Sequence, residues 1–481
     1  MTRRWVRLLL AVLWVAGAGL VAGLTQPLGP TTTAGVIAWM TGAGSVGLVA
    51  GVLASSGWVL LLSPMVFVGV FEVARSGVEV SSVGPLHLDG AFGLVAFTLG
   101  RLIPWLLACL PLAIGSAWGL QRGGRRSRPL GLLVSTVVVA LLAGSVLLPS
   151  GSPNLSFEGG PAKGSVSELV EVELGGHDQW LQVRGASADL PVLLYLSGGP
   201  GQSDLPYSRV LLEPLTRDFL VVGWDQRGTG KSYPSLDAPT LTLDRAVADV
   251  VELARLLGDR YGQEKVYLLG ESWGSLLGVL AVQEAPELFH AFLASGQMVD
   301  PRATDEAIYR DLMTAAMGQG DGDLVAELVR MGPPPYPSPL DYGTVMSLYP
   351  MLEGSYTPPE AYLQRGQSAG LGPWGILGQE YAPMDKLNVL RGLLDMFGIL
   401  YPQLQGVDLR RDAPTLAVPV YLLSGAHELA ARVDPAKEWF DQLEAPAKRW
   451  YTLPNSGHSV AFEHADELHR ILLEDVAPRG S

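Results

Sequence analysis

A chain of 481 residues with a formal net charge of −14 is too long for one ordinary domain and too acidic to suggest a nucleic-acid partner. Its mean hydropathy is nonetheless positive, and the apolar excess is concentrated in residues 1–149. That segment holds nine Arg or Lys against three acidic residues and the remainder 24 against 44, so a basic, apolar part precedes an acidic, water-facing one. The single cysteine, Cys109, lies in an apolar run, so the large part has no disulfide and cysteine usage does not reveal the compartment.

Five apolar runs, near residues 5–24, 34–54, 57–73, 102–120 and 130–149, approach the roughly 20 residues with which a helix crosses a bilayer. Only "SSG" separates the second from the third, and Pro64 interrupts the latter, so one broken segment and four spans is the alternative. Arg3, Arg4 and Arg7 precede the first run and "QRGGRRSRP" leads into the last, whereas the loop between the third and fourth is slightly acidic. The positive-inside bias therefore puts both basic segments in the cytoplasm. Five spans satisfy it with the N-terminus inside and residues 150–481 outside: a multi-pass cell-membrane protein with an extracytoplasmic domain. A cleaved signal peptide is the competing reading of "TRRWVRLL", but the later runs would hold the chain in the membrane anyway. Transport is poorly served, because ionisable residues within the runs are confined to Glu72 and Arg101 near their ends.

After a Pro, Gly and Ser-rich linker over 150–165, short β-type runs alternate with amphipathic stretches. "VSELVEVEL" and "WLQVRG" read as a hairpin; "PVLLYLSGG", "FLVVGWD", "KVYLLG", "AFLASG", "PVYLLSG" and "KRWYTLP" follow. Continuous apolar strands between helices predict an α/β domain with a mostly parallel sheet covered on both faces. The alternation stops between 300 and 410, which reads as a helical cap inserted between core segments 166–299 and 411–481.

Gly270-Glu271-Ser272-Trp273-Gly274 is G-x-S-x-G between a strand and a helix, the setting of a nucleophile elbow, where tight packing leaves no room for flanking side chains. A serine hydroxyl needs a base, and the base needs a carboxylate to orient it. In this fold the chain order is serine, acid, histidine. Of the seven histidines, His458 in "NSGHS" lies in the loop after the last strand; His464 and His469 fall on the final helix, His290 precedes a strand, His177 is in a hairpin, His87 in a membrane-side loop and His427 beside the acid. Glu428, just after the "PVYLLSG" strand, is the acid, with Asp434 in reserve. "GWDQRGTGKS" superficially suggests a phosphate loop, but the spacing of Gly223, Gly228 and Gly230 does not meet that motif, and Arg227 is expected to pair with acidic groups in a packing role.

"LSGGPGQSD", "VVGWDQRGTGKS", "GESWGS" and "NSGHS" together resemble the motif series of the proline iminopeptidase-like α/β-hydrolases, over about residues 165–475. The resemblance implies the α/β-hydrolase fold with a cap, Ser272 as nucleophile, His458 as base and Glu428 as acid. It implies an oxyanion hole from the backbone of Gly199, with Gly198 second, and of Trp273; Pro200 has no N–H to offer. Ser197 and Glu428 depart from the usual histidine and aspartate. An aminopeptidase also needs a carboxylate for the substrate's ammonium; Glu306, after the family-like "SGQMVDPRATDEAIY", is the first candidate among Glu353, Glu360, Glu380 and Asp385. Tyr309, Tyr356 and Trp374 are candidates to line a pocket or to pack the cap.

The expectation is thus a membrane-anchored serine hydrolase releasing an N-terminal proline or small apolar residue from short peptides, with no metal or organic cofactor, because no cluster has ligand spacing. Its rivals are an esterase of acyl esters and a non-catalytic membrane receptor or scaffold on the same fold.

Overall fold

The computed structural model describes residues 3–54, 56–84, 86, 88, 90–122, 129–157, 160–161 and 164–477. His87, most of the basic "QRGGRRSRP" segment and part of the linker lie outside the described residues. The chain divides into two compact units, residues 1–149 with 382–391, and residues 150–381 with 392–481.

The first unit is helical. Arg3–Thr25, Thr33–Ala54 and the continuous run Gly90–Arg122 are long and apolar enough to cross a membrane; Val59–Ala74 and Ser135–Ser145 are shorter apolar helices. Leu13, Trp14, Val21, Leu24, Leu61 and Met65 are exposed along this unit, an apolar exterior that water does not favour. Close packing joins Thr33–Ala54 to Ile103–Arg122 through glycine. A Cβ on Gly47 would stand 2.0 Å from the Leu112 carbonyl oxygen, and one on Gly115 would stand 2.0 Å from that of Gly44. Small residues let the two backbones meet, which is how apolar helices gain packing where burial from water drives little. Residues 382–391 belong to this unit: the Arg391 guanidinium donates to the carbonyls of Pro30 (2.9 Å) and Leu99 (3.0 Å), and the Asn388 amide donates to Thr31 O (2.6 Å). The region expected to form one cap is therefore divided between the units.

The second unit is built on one eight-stranded sheet. Its strands are β1 (Val166–Leu174), β2 (His177–Gly185), β3 (Val192–Leu196), β4 (Leu220–Asp225), β5 (Val266–Glu271), β6 (Phe289–Ser295), β7 (Val420–Gly425) and β8 (Lys448–Leu453). The spatial order is β8-β7-β6-β5-β3-β4-β2-β1, with β3 to β8 parallel and the β1–β2 hairpin joined antiparallel to β4. Every residue of β3, β4 and β7 is buried, so these strands read as unbroken apolar runs, while the edge strand β1 stays partly exposed. The helix Leu243–Tyr261 on one face starts at Thr242, whose hydroxyl accepts from Arg245 N–H, and stops at the left-handed Gly262. Chain order reverses between β3 and β5, the place where a parallel sheet leaves a crevice at the carboxyl ends of its strands. The long insertion between β6 and β7 contributes the helices Pro301–Gln319, Gly322–Met331, Pro339–Ser347 and Glu360–Ala369 to this unit.

The glycine packing makes a paired prediction. Gly47→Leu must push the Leu112 backbone away and should destabilise the first unit by ~1–3 kcal/mol or more. Gly69→Ala, where an added Cβ has nothing within 4 Å, should leave stability unchanged or raised. Thermal unfolding of the two variants in detergent separates these outcomes.

Candidate active site

Loops at the carboxyl ends of neighbouring parallel strands meet, and strand register explains why. Leu196 pairs with Gly270, and Glu271 with Ser295, so the loops after β3 and β6 flank Ser272 at the end of β5. Gly425 pairs with Leu453, which sets the loop carrying Glu428 beside the loop carrying His458.

Ser272 sits at φ 52° and ψ −115°, a strained conformation for a residue with a side chain. The turn is tight on both sides: a Cβ on Gly270 would lie 2.3 Å from the Gly274 carbonyl oxygen, and one on Gly274 would lie 2.2 Å from that of Leu196. The motif's glycines are therefore a steric requirement. The Ser272 N–H donates to Ser295 O at 3.0 Å, and the helix Trp273–Glu284 begins at once. Trp273 opens that helix, so its N–H has no carbonyl to meet within it. Its buried indole donates to Gln226 Oε1 at 3.0 Å, and the Gln226 amide donates to Ser197 O and Oγ at 3.3 and 3.2 Å. Ser197 thus helps to fix the loop Ser197–Gly201. A Cβ on Gly198 would stand 3.5 Å from Ser272 Cβ, and Gly199 and Gly201 occupy φ of 121° and 103°, open to glycine and strained for other residues.

His458 Nδ1 is hydrogen-bonded to Glu428 Oε2. The ring packs over Gly296, where a Cβ would meet Cε1 and Nδ1 at 2.8 Å, and Gly296 directly follows the strand end that holds Ser272 N–H. Two further bonds pin the histidine loop: the Ser459 hydroxyl donates to Glu271 Oε1 at 2.8 Å, and Ala461 N–H donates to Ser295 Oγ at 3.0 Å. Glu428 Oε1 accepts from Leu429 N–H at 2.8 Å and Arg432 Nη1 at 3.2 Å. Burial pushes the Glu428 carboxyl up, but the His458 ring, Arg432 and the Leu429 amide outweigh it and hold the group at about 2, so it stays a carboxylate at neutral pH. Asp434 is exposed within the helix Ala430–Gln442.

The structure brings together Ser272, the Ser197–Gly201 loop, His458 and Glu428. Glu306 is half-exposed and paired with Arg302 at 3.2 Å along one helix. Its neighbour Asp305 points inward instead, accepting from the Tyr401 hydroxyl at 2.8 Å, and burial pushes its carboxyl up to about 7. Glu380 is fully buried and bound by Arg209 and Gln182, Glu360 accepts from Gln364, and Asp385 accepts from Ala382 N–H in the first unit. Tyr356 lies over the histidine loop, stacked on His427 at 4.8 Å and donating to Glu463 Oε1 at 2.8 Å, whereas the Tyr309 hydroxyl is spent on Leu328 O. The Trp374 side chain lies outside the described residues. Arg227 forms a buried two-point pair with Asp249 (2.9 and 3.0 Å), the packing role its loop suggested.

Sequence reasoning passed over Glu271 and Arg432. Glu271 fills the variable position of the elbow, and nothing local marks it as functional. Arg432 stands four residues after Glu428, the spacing at which helical side chains meet, and that signal was readable.

A mainly parallel sheet with a strained serine elbow at its central strand, a histidine loop after the last strand and a helical insertion before the last two strands defines an α/β hydrolase. The comparisons agree: residues 191–465 match the family model of the alpha/beta hydrolase fold, and the chain belongs to that family. Within it the chain is similar to proteins named aminopeptidase and proline iminopeptidase. The probable aminopeptidase YbaC of Bacillus subtilis (strain 168) is 28% identical over 305 residues, 63% of this chain and 94% of that protein. A proline iminopeptidase of Lactobacillus delbrueckii subsp. lactis is 24% identical over 309 residues, 63% and 95% of the two chains. Among solved structures, a proline iminopeptidase-related protein of Thermus thermophilus matches 64% of this chain and 96% of its own at 20% identity, with a TM-score of 0.43.

Glu271 gives a test of the site's electrostatics. Burial, followed by the Asp204 carboxylate, pushes its carboxyl up to about 8, with Glu463 adding to this and Ser459 and Tyr195 opposing it. The folded state then holds a proton that the unfolded chain releases near the ordinary value of 4.5, so this contribution to stability is full at low pH and is lost as pH rises to about 8. Glu271→Gln keeps an oxygen for Ser459 and removes the titration. Relative to the parent protein, its melting temperature should rise between pH 5 and pH 8.5; equal differences at the two values would contradict the buried neutral acid.

Proposed function

We propose that this protein is a membrane-anchored serine hydrolase that releases an N-terminal proline or small apolar residue from short peptides. The observation that carries the reading is the meeting of a strained Ser272 with a histidine loop whose ring is held by the buried carboxylate of Glu428. In the proposed reaction Ser272 Oγ attacks the acyl carbon while His458 Nε2 takes the hydroxyl proton. The tetrahedral oxyanion is met by the N–H groups of Gly199 and Trp273; comparable donors are worth roughly 3–4 kcal/mol each. The C–N bond then breaks as His458 returns the proton to the leaving amine, leaving an acyl-enzyme. Water, deprotonated by His458, attacks that ester, and Ser272 recovers its proton as the acid departs.

The printed names of the relatives, aminopeptidase and proline iminopeptidase, support a substrate with a free N-terminus. Glu306 remains the candidate for its ammonium. The ion pair with Arg302 is half-exposed and weak enough for a substrate cation to displace. The first-unit helices are read as anchors, with the basic N-terminus inside and residues 150–481 outside the cell.

Full-length protein in detergent, offered aminoacyl anilides with free and blocked N-termini and simple acyl esters, tests the chemistry. Anilide cleavage should require the free amine and fall at least about a thousandfold in Ser272→Ala. Cleavage of esters alone would establish the esterase instead, and turnover of neither would favour a binding role. Sidedness has its own check: protease added to intact cells should digest residues beyond about 165, and protection of that region would reverse the proposed topology.

A further inference from the structure

A glutamate has more side-chain torsions to fix than an aspartate, and an acid that orients an imidazole has to present one oxygen in one direction. The bonds around Glu428 divide its two oxygens between different tasks. Oε2 faces His458 Nδ1, while Oε1 is held by Leu429 N–H at 2.8 Å and by Arg432 Nη1 at 3.2 Å. The acid side chain is 4% exposed and the arginine 19%, so the pair is largely out of water. Arg432 is itself held: its guanidinium lies over the ring of Tyr349, 4.9 Å from the centroid, and Tyr349 belongs to the short helical turn Tyr349–Met351 of the insertion.

We propose that Arg432 is a positioning residue for the reaction at Ser272, clamping the outer oxygen of Glu428 so that the other oxygen holds the His458 ring in a single orientation. The inference rests on the serine-hydrolase reading and adds to it a residue outside the Ser272, His458 and Glu428 set. It has an electrostatic side. Arg432 is a permanent positive charge on the carboxylate that would otherwise act wholly on His458, so it opposes protonation of the imidazole. The other ionisable groups around Arg432 are Tyr349, Tyr401 and Asp305, the last partly neutral because burial raises its carboxyl to about 7. Removing the guanidinium charge therefore changes the field at the acid–imidazole pair, and the pH dependence of turnover reads that change. The Tyr349 stack also links the acid to the insertion, so a change in that turn would reach the histidine through one side chain.

The experiment uses the full chain in detergent and whichever substrate the parent protein turns over, with kcat and kcat/KM measured from pH 5 to pH 9 for Arg432→Gln and Arg432→Lys. The glutamine variant should lose roughly 10- to 100-fold in kcat with KM little changed, and the acidic limb of its kcat/KM profile should move. The lysine variant keeps the charge, so its limb should return to the parent position while only part of kcat is recovered. Parent-like kcat and an unmoved limb in both variants would overturn the proposal, as would a loss in the glutamine variant with the limb unmoved, which marks a merely structural residue. If the glutamine variant does not fold, Tyr349→Leu removes only the ring beneath the guanidinium: a reduced kcat at unchanged KM supports the clamp, and a parent-like kcat overturns it. A parent protein without any Ser272-dependent turnover removes the serine-hydrolase reading and this proposal together, whereas a fully active glutamine variant removes this proposal alone.

Discussion

The second unit depends on one close approach, that of Gly274 to the Leu196 carbonyl at the centre of the sheet. With 2.2 Å available where a Cβ would stand, the chain leaving β5 has to turn within a single residue, and the strain of that turn falls on Ser272. A residue kept at positive φ persists only where its surroundings over-determine it. Here they do: buried strands on both sides, the Ser295 carbonyl on the Ser272 N–H, and a helix that starts one residue later. The same approach brings the loop after β3 beside the serine, so a steric constraint in the core and the assembly of the site are one event.

Everything else at the site is tied back to that turn. Ser459 reaches Glu271, Ala461 reaches Ser295, and His427 N–H donates to Ser456 O, so the acid and histidine loops are fastened to each other and to the strand ends around the serine. Two of these three bonds use only backbone or a serine hydroxyl, groups that lose little conformational entropy on ordering. Their cost lies in buried carboxylates. Glu271 is out of water with the buried Asp204 and with Glu463 near it, and burial raises the first two to about 8 and about 6, so the region balances charge with protons as well as with hydrogen bonds.

The first unit follows a different logic. Its helices meet through close glycine backbones beside an aromatic cluster of Trp39, Phe67 and Phe71, and its exterior is apolar. Both properties suit a lipid solvent, where burial of apolar surface drives little and close van der Waals packing matters more. Arg391 and Asn388, from a segment far along the chain, donate to the backbone carbonyls of Pro30, Thr31 and Leu99 in this unit.

Much of this was legible in residue order. All eight strands of the sheet fall on the β-type runs of the sequence, and β3, β4 and β7 on nearly unbroken apolar ones, because strands buried on both faces need continuous hydrophobicity and the turns between them need Gly, Pro and Asn. Ser272 was marked by its two glycines, since a steric requirement of backbone on backbone leaves its trace locally, and His458 and Glu428 by their places after the last two strands. Position on a face was not legible. Asp305 and Glu306 are adjacent and chemically alike, yet one is buried against Tyr401 and the other pairs with Arg302 on the surface, because helix orientation in the insertion is decided by packing partners distant in sequence. The tether from Ser459 to Glu271 spans residues far apart in the chain, and residues 382–391 group with the first unit through bonds to carbonyls hundreds of positions earlier. The sequence by itself determined what is local and steric: the strands, the elbow and the apolar helices. Tertiary structure alone decided which carboxylates lie inside, which loops are fastened together and where the insertion divides, because these turn on contacts between segments that no short window of sequence contains.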